Sequence, residues 1–106
     1  MKIILDHNVP KKLRTELPDH VIRTAKEMGS AELENGDLLR AAEAERFETM
    51  LTCDQNLSYQ QNLKARKLAL VVFNTNNWKI LRRNLRLIAE AVDRATPGSF
   101  QEIDVS

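Results

Sequence analysis

Cysteine and histidine are scarce in this sequence, and their scarcity excludes several kinds of site. The 106 residues include one cysteine, Cys53, and two histidines, His7 and His20. One cysteine cannot form an internal disulfide, and these three side chains cannot complete the usual four-ligand structural zinc site. We therefore expect a cytoplasmic protein in a reducing setting, without structural zinc.

Long apolar runs are also missing. No run approaches the roughly 20 residues that a membrane span needs, and the first residues lead directly into a short predicted strand rather than a long apolar signal core. We expect neither secretion nor membrane insertion. The composition, 42% hydrophobic and 29% charged, suits one domain, residues 1–106, with one core.

Acidic residues are absent from Gln55 to Ala89, although the net charge of the whole chain is only +1. Seven bases fall in this acid-free stretch. Charged helix faces are most often simply solvated, yet such a stretch can also neutralise the phosphates of a nucleic acid. The candidates for nucleic-acid binding are Lys64, Arg66, Lys67, Arg82, Arg83 and Arg86.

Three apolar runs each end in residues that carry side-chain oxygens. The runs are KIILDHNVP, MLTCDQN and LALVVFNTN, and the oxygen-bearing residues are Asp6 and Asn8, Asp54 and Asn56, and Asn74 and Asn76. Continuous apolar runs separated by helical patterns are typical of parallel sheets covered on both faces, in which ligands bind beyond the carboxyl ends of the strands. We expect these oxygens to meet at one sheet edge.

Helical patterns lie between the runs. A short helix capped by Asn8 is predicted to bury Val9, Leu13 and Leu17. A short strand at Val21 and Ile22 precedes a second helix, for which Asn35 and Asp37 are both credible caps. One long helix is predicted over 77–95, and a final edge strand over 100–105.

Asp6, Asp37 and Asp54 are the candidate catalytic and metal-binding residues. Carboxylate and amide oxygens suit Mg²⁺ or Mn²⁺ rather than zinc or copper. Such a metal polarises a phosphoryl oxygen and activates water, so phosphodiester cleavage needs no serine, cysteine or histidine nucleophile. Singly, however, each aspartate is more often a helix cap than a ligand, Asp37 above all. The candidates for supporting roles are His7, Asn8, Asn56, Asn74 and Asn76.

Four motifs together resemble the PIN-like family, small proteins often described as toxin components of bacterial toxin–antitoxin pairs. They are the I-L-D strand end, D-x-N-x-P, N-G-D-L-L and T-x-D-Q-N-L-x-Y-Q-Q-N. The resemblance implies a three-layer α/β/α sandwich with a mainly parallel sheet, metal-dependent ribonuclease activity, RNA as substrate and an antitoxin protein as partner. By matching position it implies Asp6, Asp37 and Asp54 as the acids, with Asn8 and Asn56 beside them.

Two positions depart from the pattern of that family. Asn74 and Asn76 stand where a further acid is usual, and His7 stands where a relative often has an acid. Fewer negative charges hold a divalent metal less tightly, so the resemblance implies the fold more firmly than the activity.

Two other functions remain open at this point. One is a non-catalytic PIN-like module that binds RNA or a protein. The other is a receiver-like phosphoacceptor domain, because Asp54 ends a predicted central strand, although the acid beside Asp6 and the late lysine that a receiver needs are missing. A homodimer is compatible with the sequence, which indicates no interface.

Overall fold

Five parallel strands form one sheet. The computed structural model describes residues 1–30, 32–33, 35–55 and 66–106. The strands lie side by side in the order β2-β1-β3-β4-β5, and every neighbouring pair is parallel. The predicted α/β class with a parallel sheet is therefore confirmed. The strands are β1 (Lys2–Leu5), β2 (Val21–Thr24), β3 (Thr49–Thr52), β4 (Ala69–Phe73) and β5 (Phe100–Ile103).

Helical segments join the strands. In the described part of the chain they are a 3-10 helix (Lys11–Glu16), α1 (Asn35–Ala44), α2 (Trp78–Arg83) and α3 (Leu85–Arg94). Among these segments, none has both the length and the apolar character needed to cross a membrane.

Apolar side chains pack on both faces of the sheet. Successive strand residues point to opposite faces, so Ile3 and Leu5 join one cluster of buried residues while Ile4 joins another. The first cluster includes Leu13 of the 3-10 helix and residues of α2 and α3. The second includes Leu38, Leu39 and Ala42 of α1. Every residue of β3 and β4 is buried, because helices or loops cover both faces of the sheet there.

The order of the strands predicts a binding position between β1 and β3. From β1 the chain crosses to β2 on one side, and it later returns to β3 on the other side. In doubly wound sheets the two crossovers diverge at such a reversal, and the opening between them, at the carboxyl ends of the strands, is where ligands bind. The residues that follow β1 and β3 therefore flank the expected binding position.

The segment after β1 differs from the prediction. Val9, Leu13 and Leu17 are buried, as predicted, but the helix is of the 3-10 type and begins after Pro10, with no side-chain cap. The prediction of Asn8 as its cap is wrong. The Asn8 side chain instead accepts a hydrogen bond from the N–H of Cys53 at 3.1 Å. It binds the end of the neighbouring strand rather than its own helix.

The predicted helix over 77–95 is two helices that meet at Asn84. The Asn84 backbone leaves helical geometry, with φ −120° and ψ 25°. Its side-chain N–H donates to the Ile80 carbonyl at 2.8 Å and to the Ser106 carbonyl at 3.2 Å. An asparagine that satisfies backbone groups in this way competes with helix continuation. The apolar spacing was correct, since Leu81, Ile88 and Val92 are buried across the break.

Replacing Asn77 tests the start of α2. Its side chain accepts hydrogen bonds from the N–H groups of Lys79 and Ile80, at 3.0 and 3.3 Å. We expect Asn77→Ala to lower the free energy of unfolding by about 1 kcal/mol, because two N–H groups lose their cap. Chemical denaturation measures the change. The adjacent exposed Asn76 is the control, and Asn76→Ala should change the same quantity by less than about 0.5 kcal/mol. Equal effects would contradict the assignment.

Candidate functional site

The carboxyl ends of β1, β3 and β4 lie along one edge, as predicted. Leu5 is in register with Leu51, and Leu51 with Val71, in parallel pairs. All three strands therefore run in the same direction and end together. This edge carries the residues that follow each strand, including Asp6 and Asp54.

The Thr52 hydroxyl links Asp6 to Asp54. It donates to Oδ2 of Asp6 at 2.7 Å and accepts from the backbone N–H of Asp54 at 3.0 Å. Thr52 is fully buried, so both bonds form away from bulk water. One hydroxyl thus holds the Asp6 carboxylate beside the Asp54 backbone. Thr52 was not among the predicted site residues, although it opens the T-x-D-Q-N motif.

The second oxygen of Asp6 and the ring of His7 are also engaged. Oδ1 of Asp6 accepts from the backbone N–H of His7 at 2.7 Å. Nε2 of His7 lies 2.7 Å from the Leu33 carbonyl, and because a carbonyl only accepts, Nε2 carries the proton. Leu33 precedes α1, so His7 ties the approach to that helix to the end of β1. The His7 ring therefore bonds the protein backbone at this edge.

Cys53 lies between these residues as a neutral thiol. Its Sγ–H donates to the Thr75 carbonyl at 3.2 Å. Burial, followed by the negative charge of Asp6, raises the pKa of the Cys53 thiol from its usual 9.0 to about 11. A thiol with so high a pKa is protonated at neutral pH and is a poor nucleophile. Cys53 therefore supports the edge structurally, and the acids remain the reactive candidates.

Asp37 lies apart from this arrangement. It is in the first turn of α1 with 65% of its side chain exposed, and it forms an ion pair with Arg40 of the same helix. Across the described ranges, no three His, Cys, Asp or Glu side chains are grouped to hold a metal ion. The catalytic and metal-binding roles of Asp6, Asp37 and Asp54, and the binding of Mg²⁺ or Mn²⁺, therefore stay predictions.

The donor chemistry at the edge still suits a hydrated divalent cation. Mg²⁺ is usually held by one or two carboxylates and keeps several of its waters. Each Asp6 oxygen accepts one hydrogen bond from the protein, and a carboxylate oxygen has a second lone pair available. Asp6, with Asp54 at the next strand end, therefore provides the kind of ligands that such a cation takes.

The asparagines predicted to have supporting roles make different contacts. Asn74 bonds Val105 in both directions, because its amide donates to the Val105 carbonyl at 3.3 Å and accepts from the Val105 N–H at 3.0 Å. Asn74 therefore fixes the residues after β5. Asn8 binds the Cys53 N–H, as described above, and Asn76 is exposed. Asn56 lies outside the described residues.

The predicted basic residues fall at both ends of the sheet. Arg66 and Lys67 precede β4 and contact Glu43, through the Arg66 guanidinium and the Lys67 backbone N–H. They lie at the amino end of the strand, and five strand residues span about 16 Å. Arg66 and Lys67 therefore do not belong to a surface around Asp6. Lys64 lies outside the described residues.

The three remaining arginines surround the junction of α2 and α3. The junction residue Asn84 bonds Ser106, which follows the carboxyl end of β5. Arg82, Arg83 and Arg86 are exposed there, and Arg86 forms the expected i, i+4 ion pair with Glu90 at 3.4 Å. This group lies on the β5 side of the carboxyl edge.

A cleft of about 390 Å³ opens beside Asp6 on the β2 side. Its lining residues are Asp6, His7, Val9, Lys11, Thr24, Ala25 and Lys26. Lys11 and Lys26 were not among the predicted basic residues, because they lie outside the acid-free stretch. The alternation of acids and bases in the first half of the chain gives no signal that these two lysines converge.

Comparison with known proteins does not indicate a function for this chain. A scan against protein-family models and searches of the curated proteins and of the solved structures found no match to this chain. The PIN-like resemblance therefore depends on the motifs alone, and the function has to be argued from the residues at the carboxyl edge.

The Cys53 thiol gives a pH-dependent test of the site. We expect alkylation of the folded protein to rise through about pH 11, whereas the unfolded chain should follow the ordinary pKa near 9.0. Because the folded state favours the protonated thiol, stability should fall as pH rises from the unfolded pKa towards the folded one. Asp6→Asn should lower the pKa partway, since burial remains. A folded-state pKa near 9 would contradict this assignment.

The Thr52 hydroxyl can be tested by removing it. We expect Thr52→Val to lower the free energy of unfolding by about 1–3 kcal/mol, because the N–H of Asp54 loses its buried partner. Thr52→Ser keeps the hydroxyl and should be milder. Thr49 is the matched control, since it is equally buried in β3 and donates only to the thioether of Met1. Thr49→Val should cost less than Thr52→Val in chemical denaturation, and the reverse order would contradict the proposed link.

Proposed function

We propose that this chain is a Mg²⁺- or Mn²⁺-dependent ribonuclease of the PIN-like type, the toxin component of a toxin–antitoxin pair. The observation that carries the proposal is the link through Thr52, whose hydroxyl joins the Asp6 carboxylate to the Asp54 backbone N–H at the carboxyl ends of β1 and β3. Two acids at adjacent strand ends, where doubly wound sheets bind ligands, are well placed for metal-assisted hydrolysis.

Asp6 and Asp54 would hold the cation in this proposal. When bound, a divalent cation supplies polarisation of a phosphoryl oxygen and an activated water. Thr52 fixes the position of Asp6, and the backbone N–H of His7 fixes its second oxygen. The Cys53 thiol stays protonated and takes no part in nucleophilic attack. Asp37 is the third acid that the resemblance implies, and to act as a ligand it would have to exchange its ion pair with Arg40.

The second candidate function is a PIN-like module that binds RNA or a protein without cutting it. The ion pair between Asp37 and Arg40 favours this alternative, because it leaves Asp6 and Asp54 without the third acid. A receiver-like domain has the same strand order, so the topology does not distinguish it. However, Asn74 stands where a receiver has a serine or threonine, and Val105 engages its amide on both sides.

Cleavage of RNA with charge-removing variants tests the proposal. We expect the unmodified protein to cut single-stranded RNA in millimolar Mg²⁺ and not in a chelator. Asp6→Asn and Asp54→Asn should each lower the rate by on the order of a hundredfold or more, because each removes a ligand charge. Asp19→Asn is the control, since this exposed acid precedes β2 at the opposite edge, and it should leave the rate unchanged.

The same variants separate a metal ligand from a helix cap. Without metal, Asp54→Asn should keep or raise the melting temperature, because it relieves repulsion with Asp6. A clearly lower melting temperature with cleavage intact would make Asp54 a cap and would remove the centre of the proposal. Asp37→Asn then decides the ligand number: a loss equal to that of Asp54→Asn indicates three acids, and a small loss indicates two.

A further inference from the structure

Two lysines face the same cleft as Asp6. Lys11 opens the 3-10 helix that follows β1, and Lys26 lies in the turn that follows β2. Both line the 390 Å³ cleft together with Asp6 and His7. The segments after β1 and β2 thus place two positive charges beside Asp6 in this cleft.

The backbone that carries each lysine is held in place. In the turn after β2, the N–H of Ala25 continues the sheet by bonding the Leu5 carbonyl at 3.0 Å, and the N–H of Gly29 bonds the Lys26 carbonyl at 3.1 Å. Before the 3-10 helix, Val9 is buried and its N–H bonds the Asp6 carbonyl at 3.1 Å. The two lysines therefore extend from backbone positions that are held in place at the cleft.

The charges of these lysines are not neutralised by the neighbouring acid. Glu27 is bound by Arg14 at 2.8 Å and by the Thr24 N–H at 2.8 Å. The hydrogen bond from Arg14, followed by that from Thr24, lowers the pKa of Glu27 to about 2. Among the residues that the structure describes, neither Lys11 nor Lys26 has an ion pair or a side-chain hydrogen bond. Two lysine charges therefore outweigh the single charge of Asp6 in the cleft.

We infer that Lys11 and Lys26 bind a backbone phosphate of single-stranded RNA next to the phosphodiester held at Asp6. A lysine ammonium is a compact charge that binds phosphate without requiring a fixed orientation. The RNA strand would then cross the β1–β2 side of the carboxyl edge. The inference depends on the proposed function for the identity of the ligand as RNA, but it does not depend on cleavage.

The charge of Asp6 should affect how tightly RNA binds in the cleft. An ionised carboxylate beside the lysines repels the incoming phosphate, and removing its charge relieves the repulsion. Asp6→Asn should therefore bind RNA more tightly than the unmodified protein in the absence of metal. The Asp6→Asn protein is also the suitable background for binding measurements, since cleavage cannot then consume the probe.

The experiment measures binding of a short mixed-sequence single-stranded RNA to the Asp6→Asn protein in a chelator, as a function of salt. Adding Lys11→Gln and Lys26→Gln together should weaken binding roughly tenfold at low salt and reduce the slope of log K against log salt by about 0.7, the change expected when a single strand loses one phosphate contact. The matched control, Lys12→Gln with Lys67→Gln, removes the same charge from two exposed lysines that do not line the cleft. It should change binding by less than about threefold.

The outcome is separable from that of the proposed function. Equal binding by the cleft variant and the control would overturn the inference, even if the unmodified protein cleaves RNA. Selective weakening in the cleft variant supports the inference, even if the unmodified protein cleaves nothing and the nuclease proposal fails. Thermal melting of each variant confirms that the fold is intact, which substitution of exposed lysines should preserve.

Discussion

Burial of the sheet from both faces is the constraint on which the rest of this structure depends. Strands β1, β3 and β4 present apolar side chains to helices on both sides, and such strands are found paired in parallel with helical crossovers. Parallel pairing brings their carboxyl ends to one edge. Strands β3 and β4 contain no charged residue, and Asp6 and Asp54 lie where strands end.

Hydrogen bonds from side chains then organise that edge. Thr52 bonds Asp6 and the Asp54 backbone, Asn8 bonds the Cys53 backbone, and Asn74 bonds Val105. These bonds satisfy backbone groups that lie beyond the strand ends, and the bond from Thr52 also satisfies the Asp6 carboxylate. Several of the polar residues after the strands thus fix strand ends, whereas others were predicted as ligands. Their residue types alone do not separate the two kinds.

The sequence predicted the features that depend on apolar spacing. The strands, the buried positions of the helices and the shared edge all follow from where apolar residues recur, and the structure confirms them. It did not predict features decided by one polar side chain. Asn84 divides a helix whose apolar spacing is continuous, and Asn8 binds a strand 45 residues away instead of its own helix.

Charge was the least predictable part of the site. The acid-free stretch directed attention to Arg66 and Lys67, which lie at the amino end of β4, whereas Lys11 and Lys26 come from a segment where acids and bases alternate. A run of charge along the chain gives the local field only when the residues stay together in space. Here the crossovers send neighbouring bases to opposite ends of the sheet, and they bring separate ones together.

The central position of β1 also bears on how the chain folds. All neighbouring strands in the described sheet are parallel, so it contains no hairpin that could form locally. The second neighbour of β1 is β3, in which Leu51 pairs with Leu5. Closing such loops costs chain entropy before any ladder compensates for it, and folding slows as contacts become less local. The carboxyl edge beside Asp6 therefore joins segments that are far apart in the sequence.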